Sequence, residues 1–441
     1  MTSPRSLVTL AGGVLLVLLM ATGGLAYVTL RTGPLEERLV REVHELTEAR
    51  YARPSHVNPP APGTFARRLE PLVDGVLRLY QERPKSNGSP DSPQGQPCRD
   101  VADGKLPVSS LPAGCGEALE RARPLMEQVL AATHAEMGGL PESMGSLAPF
   151  THARANGKFA LMYVVHLAAL ETRLKLAQGQ ASPALDTCLD ALALSRELEL
   201  GGGMEGQLLA ATGHGVLYRP CADALDAASV ERKRLAITQL SRLAEGFAPF
   251  SLTLRHESVL VQLVHFGERL SDETLAALPP GSRDIVPEEL REQVSPSDNP
   301  LMARRLWWKL VEGFDALTAS ADLPTGARRR AFALLEAEAD EDDEPLDSLH
   351  GPDVATYGEY AERLDLRRLQ HDALLTLAEV DVARAERGQW PESPPRHKDS
   401  SFVLEALGPM EARLQPCSRA YASQGLRVTA DPAPAARATG P

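Results

Sequence analysis

Histidine stands close to a carboxylic acid at two points where a zinc site could begin. His256-Glu257 is the start of a His-Glu-x-x-His helix, but position 260 is leucine and His265 lies on roughly the opposite helical face. His134-Ala135-Glu136 is the start of a zinc-deaminase motif, but no Pro-Cys-x-x-Cys follows it. Neither motif is therefore predicted to bind a metal.

Two glycine-containing stretches fall short of phosphate-binding loops. Gly201, Gly203 and Gly206 fit Gly-x-Gly-x-x-Gly, but the residues before them favour a helix, whereas the dinucleotide motif follows a strand. Gly104-Lys105 is followed by leucine, where a phosphate loop needs Ser or Thr to reach the metal. We interpret both as turns, and the sequence singles out no catalytic, cofactor-binding or metal-binding residue.

His214 is the one histidine with a possible functional role, because it lies between Gly213 and Gly215. Small neighbours allow another chain or a ligand to come close. The same glycines fit a tight crossing of two helices, which is the favoured interpretation. His214 is the first residue to mutate if an activity is found.

The five cysteines form no Cys-x-x-Cys pair, which disfavours thioredoxin-like redox chemistry and cysteine-rich zinc sites. Cys98 and Cys115 flank a loop with few apolar residues, and we predict a disulfide between them if the body is exported. Cys188 lies on an apolar helix face. A buried free thiol is favoured there, with a bond to Cys221 as the alternative.

Residues Leu7–Leu30 contain no charged side chain and follow a short basic start. At about 1.5 Å per helical residue, this segment is long enough to cross a hydrocarbon core of roughly 30 Å. A cleaved signal peptide is the alternative, with a small-x-small site at Gly24-Leu25-Ala26. Apolar residues continue beyond that site, so we favour an uncleaved transmembrane anchor.

The orientation of the anchor stays open. Arg31, Arg38 and Arg41 follow the segment, whereas only Arg5 and the amino terminus precede it, so the positive-inside rule opposes an exported body. A short basic start before a single apolar run is nevertheless typical of exported bacterial chains. We favour a single-pass protein of the bacterial inner membrane with a periplasmic body.

The composition predicts a folded chain and disfavours a nucleic-acid partner. Hydrophobic residues make up 43% of the 441 positions and charged residues 24%, which is typical of globular proteins. The formal net charge of -13 argues against a nucleic-acid partner, because binding to phosphate draws on clustered Lys and Arg.

Apolar residues recur at helical spacing along most of the chain, and short turns join the segments. This pattern predicts an all-α fold, in which the transmembrane helix is followed by a helical bundle or stacked helical hairpins and by a small irregular C-terminal segment. The expected divisions are an anchor (1–30), juxtamembrane helices and a Pro/Gly-rich loop (31–116), a central helical domain (117–270), a helical segment with an acidic linker (271–356), and a long helix with an irregular tail (357–441).

Two segments resemble known families. Leu161–Gln178 and Pro183–Leu200 resemble one tetratricopeptide unit, with small alanines in both helices, which implies a helical-hairpin scaffold. The long helix that ends at Gly388, followed by Trp390-Pro391, resembles the corresponding segment of type II secretion pseudopilins and of uncharacterised bacterial membrane-anchored helical proteins. The pseudopilin processing signature is missing from this chain, so pilus assembly is not implied.

The sequence thus predicts a membrane-anchored, non-enzymatic helical protein that acts as an envelope scaffold or protein-binding module, with no cofactor. Its expected partners are the membrane, through the N-terminal helix, and an envelope protein. The alternative is an envelope hydrolase or other enzyme whose active site is assembled from dispersed residues. An enzyme needs polar side chains that converge on a pocket, whereas a binding module needs a groove or an exposed apolar patch.

Overall fold

A computed structural model describes Gly23 and residues 34–46, 53–83, 95–141, 144, 152–200, 203–279, 299–341, 352–394 and 401–429. The predicted anchor Leu7–Leu30 therefore lies outside the described residues, apart from Gly23. Within the described ranges, no helix is long and apolar enough to cross a membrane.

The described part of the chain is mostly helical, which confirms the predicted helical class. Its α-helices are α1 (34–46), α2 (Phe65–Leu69), α3 (Val73–Gln81), α4 (Gln96–Ala102), α5 (Ala113–Ala132), α6 (His152–Ala177), α7 (Ala181–Glu197), α8 (Gly203–Ala227), α9 (Val230–Glu245), α10 (Phe250–Phe266), α11 (Asp272–Ala277), α12 (Pro300–Ala321), α13 (Thr325–Glu341) and α14 (Val354–Arg387). Its strands are β1 (Ala61–Thr64), β2 (Ala135–Met137), β3 (Phe402–Gly408), β4 (Glu411–Pro416) and β5 (Leu426–Thr429).

Several helix ends lie where local chemistry favours them. The side chain of Thr64 accepts a hydrogen bond from the backbone N–H of Arg67 and caps α2, as its position before an apolar helix predicts. Helix α14 ends at Gly388, whose φ of 77° suits a residue without a side chain, and whose N–H donates to Arg384 O at 2.9 Å. The predicted stop before Trp390-Pro391 is thus confirmed.

The described residues fall into two compact units. One consists of α1 and residues 250–358, and the other of residues 53–249 and 359–429. The division at Phe250 differs from the sequence-based boundary at 270, because α10 packs against α12 instead of continuing the preceding helical series.

In the larger unit, α6, α7 and α8 each contact the other two, as in a bundle. Helix α7 is buried around almost its whole circumference, because alanine and leucine at its contact positions let neighbouring helices approach from several sides. These small side chains keep the helix backbones close together. Helices α2 to α5 and the end of α14 contribute further residues to the same core.

Two small sheets depart from the all-α prediction. Strands β1 and β2 pair in parallel, with Ala61 opposite Ala135. Strands β3, β4 and β5 form an antiparallel sheet in that order. The sequence predicts an irregular C-terminal segment there, in which Leu426–Thr429 has room for one short strand, and this stretch is β5. Phe402, Leu414 and Val428 are buried on the inner face, whereas apolar Val403 and Leu407 on the outer face of β3 weaken the alternating strand pattern in the sequence.

In the smaller unit, Trp307 of α12 stacks on Phe266 of α10 with ring centroids 5.3 Å apart. The indole Nε1 of Trp307 donates to Gln262 Oε1 at 2.8 Å, which satisfies both buried polar groups. Helical spacing places Trp307, Leu310, Phe314 and Leu317 on one face and predicts that they pack in the core. Trp307, Phe314 and Leu317 are buried, and Leu310 is half-buried.

Candidate functional site

Three side chains that lie far apart in sequence converge in the larger unit. His56 Nε2 and His134 Nε2 each lie 2.8 Å from the same atom, Oδ1 of Asp190. One potential ligand atom from each residue lies within 4.8 Å of the other two. The His56 and His134 rings are edge to face, with centroids 5.5 Å apart. This His56–His134–Asp190 cluster is the candidate functional site.

The backbone around His134 is fixed by the pairing of β1 with β2. The carbonyl oxygen of His134 accepts hydrogen bonds from Ala61 N at 2.8 Å and from the Ser55 hydroxyl at 3.0 Å. Both donors belong to the segment that carries His56. The two histidines are therefore brought together by main-chain pairing as well as by their common contact with Asp190.

Access to the cluster is one-sided. The side chain of His56 is fully buried, whereas those of Asp190 and His134 are 18% and 35% exposed. Asp190 lies on α7, the most enclosed helix of the unit, so its position is set by core packing. Solvent reaches the cluster from the side of His134.

The two imidazoles have opposite pKa shifts. Burial lowers the pKa of His56, although its bond to Asp190 acts in the other direction. The hydrogen bond to Asp190 raises the pKa of His134, which burial only partly opposes. Burial acts to raise the pKa of Asp190, but the bonds from His134 and His56 outweigh it, and the net shift is downward.

A buried network of ion pairs holds the segment that leads to His56. Glu199 Oε2 accepts from Arg53 at 2.9 Å, and its Oε1 pairs with Arg367 of α14. Arg53 also donates to the carbonyl of Arg196 at 2.8 Å, and Arg196 donates to the carbonyl of Pro54 at 3.1 Å. These bonds hold residues 53 and 54 next to the C-terminal end of α7.

The network also reaches the chain beyond β2. Arg196 pairs with Glu197 at 3.1 Å, and the second oxygen of Glu197 accepts from Gly139 N at 2.9 Å. A Cβ atom at Gly138 would lie 2.4 Å from Glu197 Oε2, so this close approach requires glycine. Three guanidinium groups thus share two carboxylates. Each guanidinium group has a carboxylate partner, which indicates a structural role, but Arg53 Nε and Arg367 Nε have no hydrogen-bond partner among the described residues.

His214, the residue singled out by its flanking glycines, is buried in the same unit and does not belong to the His56–His134–Asp190 cluster. Its Nε2 lies 3.3 Å from His371 Nδ1, and His371 Nε2 lies 2.8 Å from the carbonyl oxygen of Leu240. A Cβ atom at Gly213 would lie 2.7 Å from Ser195 Oγ of α7. Gly213 thus permits the tight helix crossing that the sequence favoured.

The tautomers of this pair follow from the carbonyl contact. His371 must donate through Nε2 to Leu240, so its Nδ1 accepts the proton of His214 Nε2. Burial lowers the pKa of His214 to about 3 and that of His371 to about 4. Both rings are therefore neutral near pH 7.

Four cysteines are joined in two disulfides. Cys98 of α4 is bonded to Cys115 of α5, the pair predicted for an exported body, with Cα atoms 6.5 Å apart. Cys188 of α7 is bonded to Cys221 of α8, with Cα atoms 5.6 Å apart. The sequence favoured a buried free thiol at Cys188, and the structure instead has the alternative, the bond to Cys221. Cys417 is exposed.

A small cavity of about 270 Å³ lies between α4, α6 and α8, beside Arg99, Asp103 and His166. Burial lowers the pKa of His166 to about 4, and the positive charge of Arg99 acts in the same direction. His166 is therefore neutral near pH 7. The cavity does not include His214, although Gly215 lines it.

Sequence reasoning missed His56 and Asp190. His56 lies among Pro54, Pro59 and Pro60, which indicated only the end of a helix. His134 belongs to an incomplete deaminase motif, so the sequence does not predict a metal site there. Its two partners lie far away along the chain, His56 at 78 positions before it and Asp190 at 56 positions after it. No short motif contains residues so far apart, so only the tertiary structure identifies the cluster.

Comparison of the chain with known protein families, characterised proteins and solved structures finds no match. The tetratricopeptide-like and pseudopilin-like segments stay predictions.

Proposed function

We propose that this protein is a non-enzymatic binding module, tied to a bacterial inner membrane by the segment Leu7–Leu30, with its body in the periplasm. The body binds an extended segment of another envelope protein. The location and the binding surface rest on different observations, and each has its own test.

The periplasmic location is supported by the two disulfides. Disulfides persist in oxidising compartments, including the bacterial periplasm, and are rare in the reducing cytosol. The pairs Cys98–Cys115 and Cys188–Cys221 lie in different parts of the larger unit. Two separate disulfides support export more strongly than a single pair of neighbouring cysteines would.

The observation that carries the binding function is the outer edge of β3. Among the described residues, β3 pairs with β4 on one side only, and its other edge carries no strand. Val403 and Leu407 on its outer face are 55% and 44% exposed. An extended peptide that adds to this edge gains main-chain hydrogen bonds, and its side chains lie beside these two apolar groups.

The sheet that carries this edge is fixed firmly to the helical core. Tyr218 OH of α8 donates to the carbonyl oxygen of Gln424, and Arg219 donates to that of Gly425 at 3.0 Å. Thr429 N donates to Asp226 Oδ1 at 2.7 Å. The edge is therefore held in place before a partner binds, which reduces the entropic cost of association.

A hydrolase is the second candidate, and one observation favours it. His134 is partly exposed and bonds to Asp190, as a general base bonds to the carboxylate that orients it. However, the Ser55 hydroxyl donates to the backbone carbonyl of His134 and not to its imidazole. Ser55 is therefore not activated as a nucleophile, and the binding module is the better supported function.

The binding function is tested by isolating the full chain from membranes in mild detergent, as wild type and as Leu407→Asp. Leu235→Asp is the matched control, because Leu235 is 60% exposed on α9 of the same unit. We expect a protein that co-purifies in near-equal amount with wild type and control and is lost from Leu407→Asp. Equal recovery with all three would contradict binding at β3.

A further inference from the structure

We propose that His56, His134 and Asp190 bind one divalent transition-metal ion, with Zn²⁺ as the best fit. This inference is independent of the proposed function, since the β3 edge and the cluster share no residue. Two imidazole nitrogens and one carboxylate oxygen are a donor set typical of zinc, with the fourth position left to water.

Two of the three distances among the potential ligand atoms are close to those of a metal site, and the third, between the two histidine nitrogens, is within 4.8 Å. Zinc bonds to nitrogen and oxygen at about 2.0–2.1 Å, so its ligands in a tetrahedral site lie about 3.3 Å apart. Both Nε2 atoms now lie 2.8 Å from Asp190 Oδ1. Each contact has to widen by only about half an ångström. On binding, each neutral imidazole carries its proton on Nδ1 and presents the Nε2 lone pair to the ion.

The exposure of the three residues provides a route for the ion. His134 lies at the solvent side of the cluster and His56 at its closed end. An ion that enters past His134 therefore keeps one water molecule on the open side. The bonds of the His134 carbonyl to Ala61 and Ser55 hold that ligand in place beforehand.

Neighbouring groups set the expected affinity. The positive charges of Arg68, near His134, and Arg196, near His56, oppose a cation, whereas Asp186 favours it. Metal-bound histidines usually donate their second N–H, but His56 Nδ1 has no hydrogen-bond partner in the part of the chain that the structure describes. We therefore expect micromolar binding.

The ion would connect three separate parts of the larger unit. His56 precedes β1, His134 precedes β2, and Asp190 lies on α7. A ligand that binds only the folded state stabilises that state. Zn²⁺ should therefore raise the thermal unfolding midpoint of the chain and protect the segment around His56 from hydrogen exchange.

The test is a Zn²⁺ titration of the detergent-solubilised, chelator-treated full chain against a competing fluorescent chelator. The variant is His134→Gln, which removes the most exposed ligand. The matched control is His166→Gln, which changes a histidine of the same unit outside the cluster. We expect one saturable site in wild type and control, and a dissociation constant at least about tenfold higher in His134→Gln.

A second measurement on the wild type keeps the test independent of the stability of the variant. Carbethoxylation of His134, followed by mass spectrometry, should be slowed by Zn²⁺, while modification of Cys417 by a maleimide should not change. No saturable binding, equal affinity in His134→Gln, or unchanged carbethoxylation of His134 would each overturn the metal site and leave a purely hydrogen-bonded cluster.

Discussion

Lys233 and Asp381 form an ion pair in which both side chains are almost fully buried, 2% and 5% exposed. The pair joins α9 to α14 across 148 positions of sequence. Lys233 Nζ also donates to the carbonyl oxygen of Asp226 at 2.9 Å, so the buried ammonium group has two acceptors. A charge enclosed in this way is costly without its partner, which makes the pair a sensitive test of the packing of the larger unit.

The substitution Lys233→Met should destabilise the chain by about 3–5 kcal/mol, because it leaves the Asp381 carboxylate buried and unpaired. The neighbouring residue offers a matched control. Arg234 pairs with Glu386 between the same two helices, but both side chains are about half exposed. Arg234→Met should cost less than about 1 kcal/mol. Equal effects in urea denaturation would contradict the burial of Lys233.

Lowering the pH should reduce the free energy of unfolding of the larger unit, because its buried histidines are neutral in the folded chain. The pKa values of His214 and His371 are lowered from 6.5 to about 3 and about 4. At a pH between these lowered values and 6.5, the unfolded chain therefore binds more protons than the folded chain. Stability is therefore fully present above pH 6.5 and falls as the pH decreases toward 4, by up to about 1.4 kcal/mol per pH unit for each histidine.

A variant at His214 isolates the contribution of this residue to the pH dependence of stability. In His214→Leu, the slope of unfolding free energy against pH between 6.5 and 4.5 should be shallower than in wild type. Denaturant titrations at a series of pH values measure both slopes. A variant with the wild-type slope would show that His214 is protonated in the folded chain as readily as in the unfolded one.

The Cys188–Cys221 bond should stabilise the bundle mainly by restricting the unfolded chain. The closed loop spans 33 positions, for which the chain-entropy model predicts about 4 kcal/mol. Cys188→Ala together with Cys221→Ala should lower the denaturation midpoint accordingly. The variant should also respond less to reductant than wild type, and identical responses would argue against the bond.

Local sequence patterns predicted the elements that depend on near neighbours. The cap at Thr64, the stop at Gly388 and the buried face of Trp307 each follow from residues within a few positions. Helical periodicity likewise predicted the helical class. Strand β3 was missed because Val403 and Leu407 on its outer face are apolar and interrupt the polar–apolar alternation, and β4 because it is only six residues long and ends in proline.

The candidate site depends on contacts that have no local signature. His56 and Asp190 are 134 positions apart, and the bonds that hold His56 come from Arg53, Arg196 and Glu199. In the sequence these are isolated polar residues in a proline-rich segment and on an apolar helix. Only the packing of α7 against the segment before β1 makes them a cluster.

The location of the body is the claim on which the proposed function depends, and thiol labelling of cells tests it most directly. A chain that retains only Cys98 and Cys115 is exposed to a maleimide that cannot cross the inner membrane, before and after reduction. A periplasmic body should be labelled only after reduction, without lysis. Labelling that requires lysis, with or without reductant, would place the body in the cytoplasm and rule out the periplasmic location.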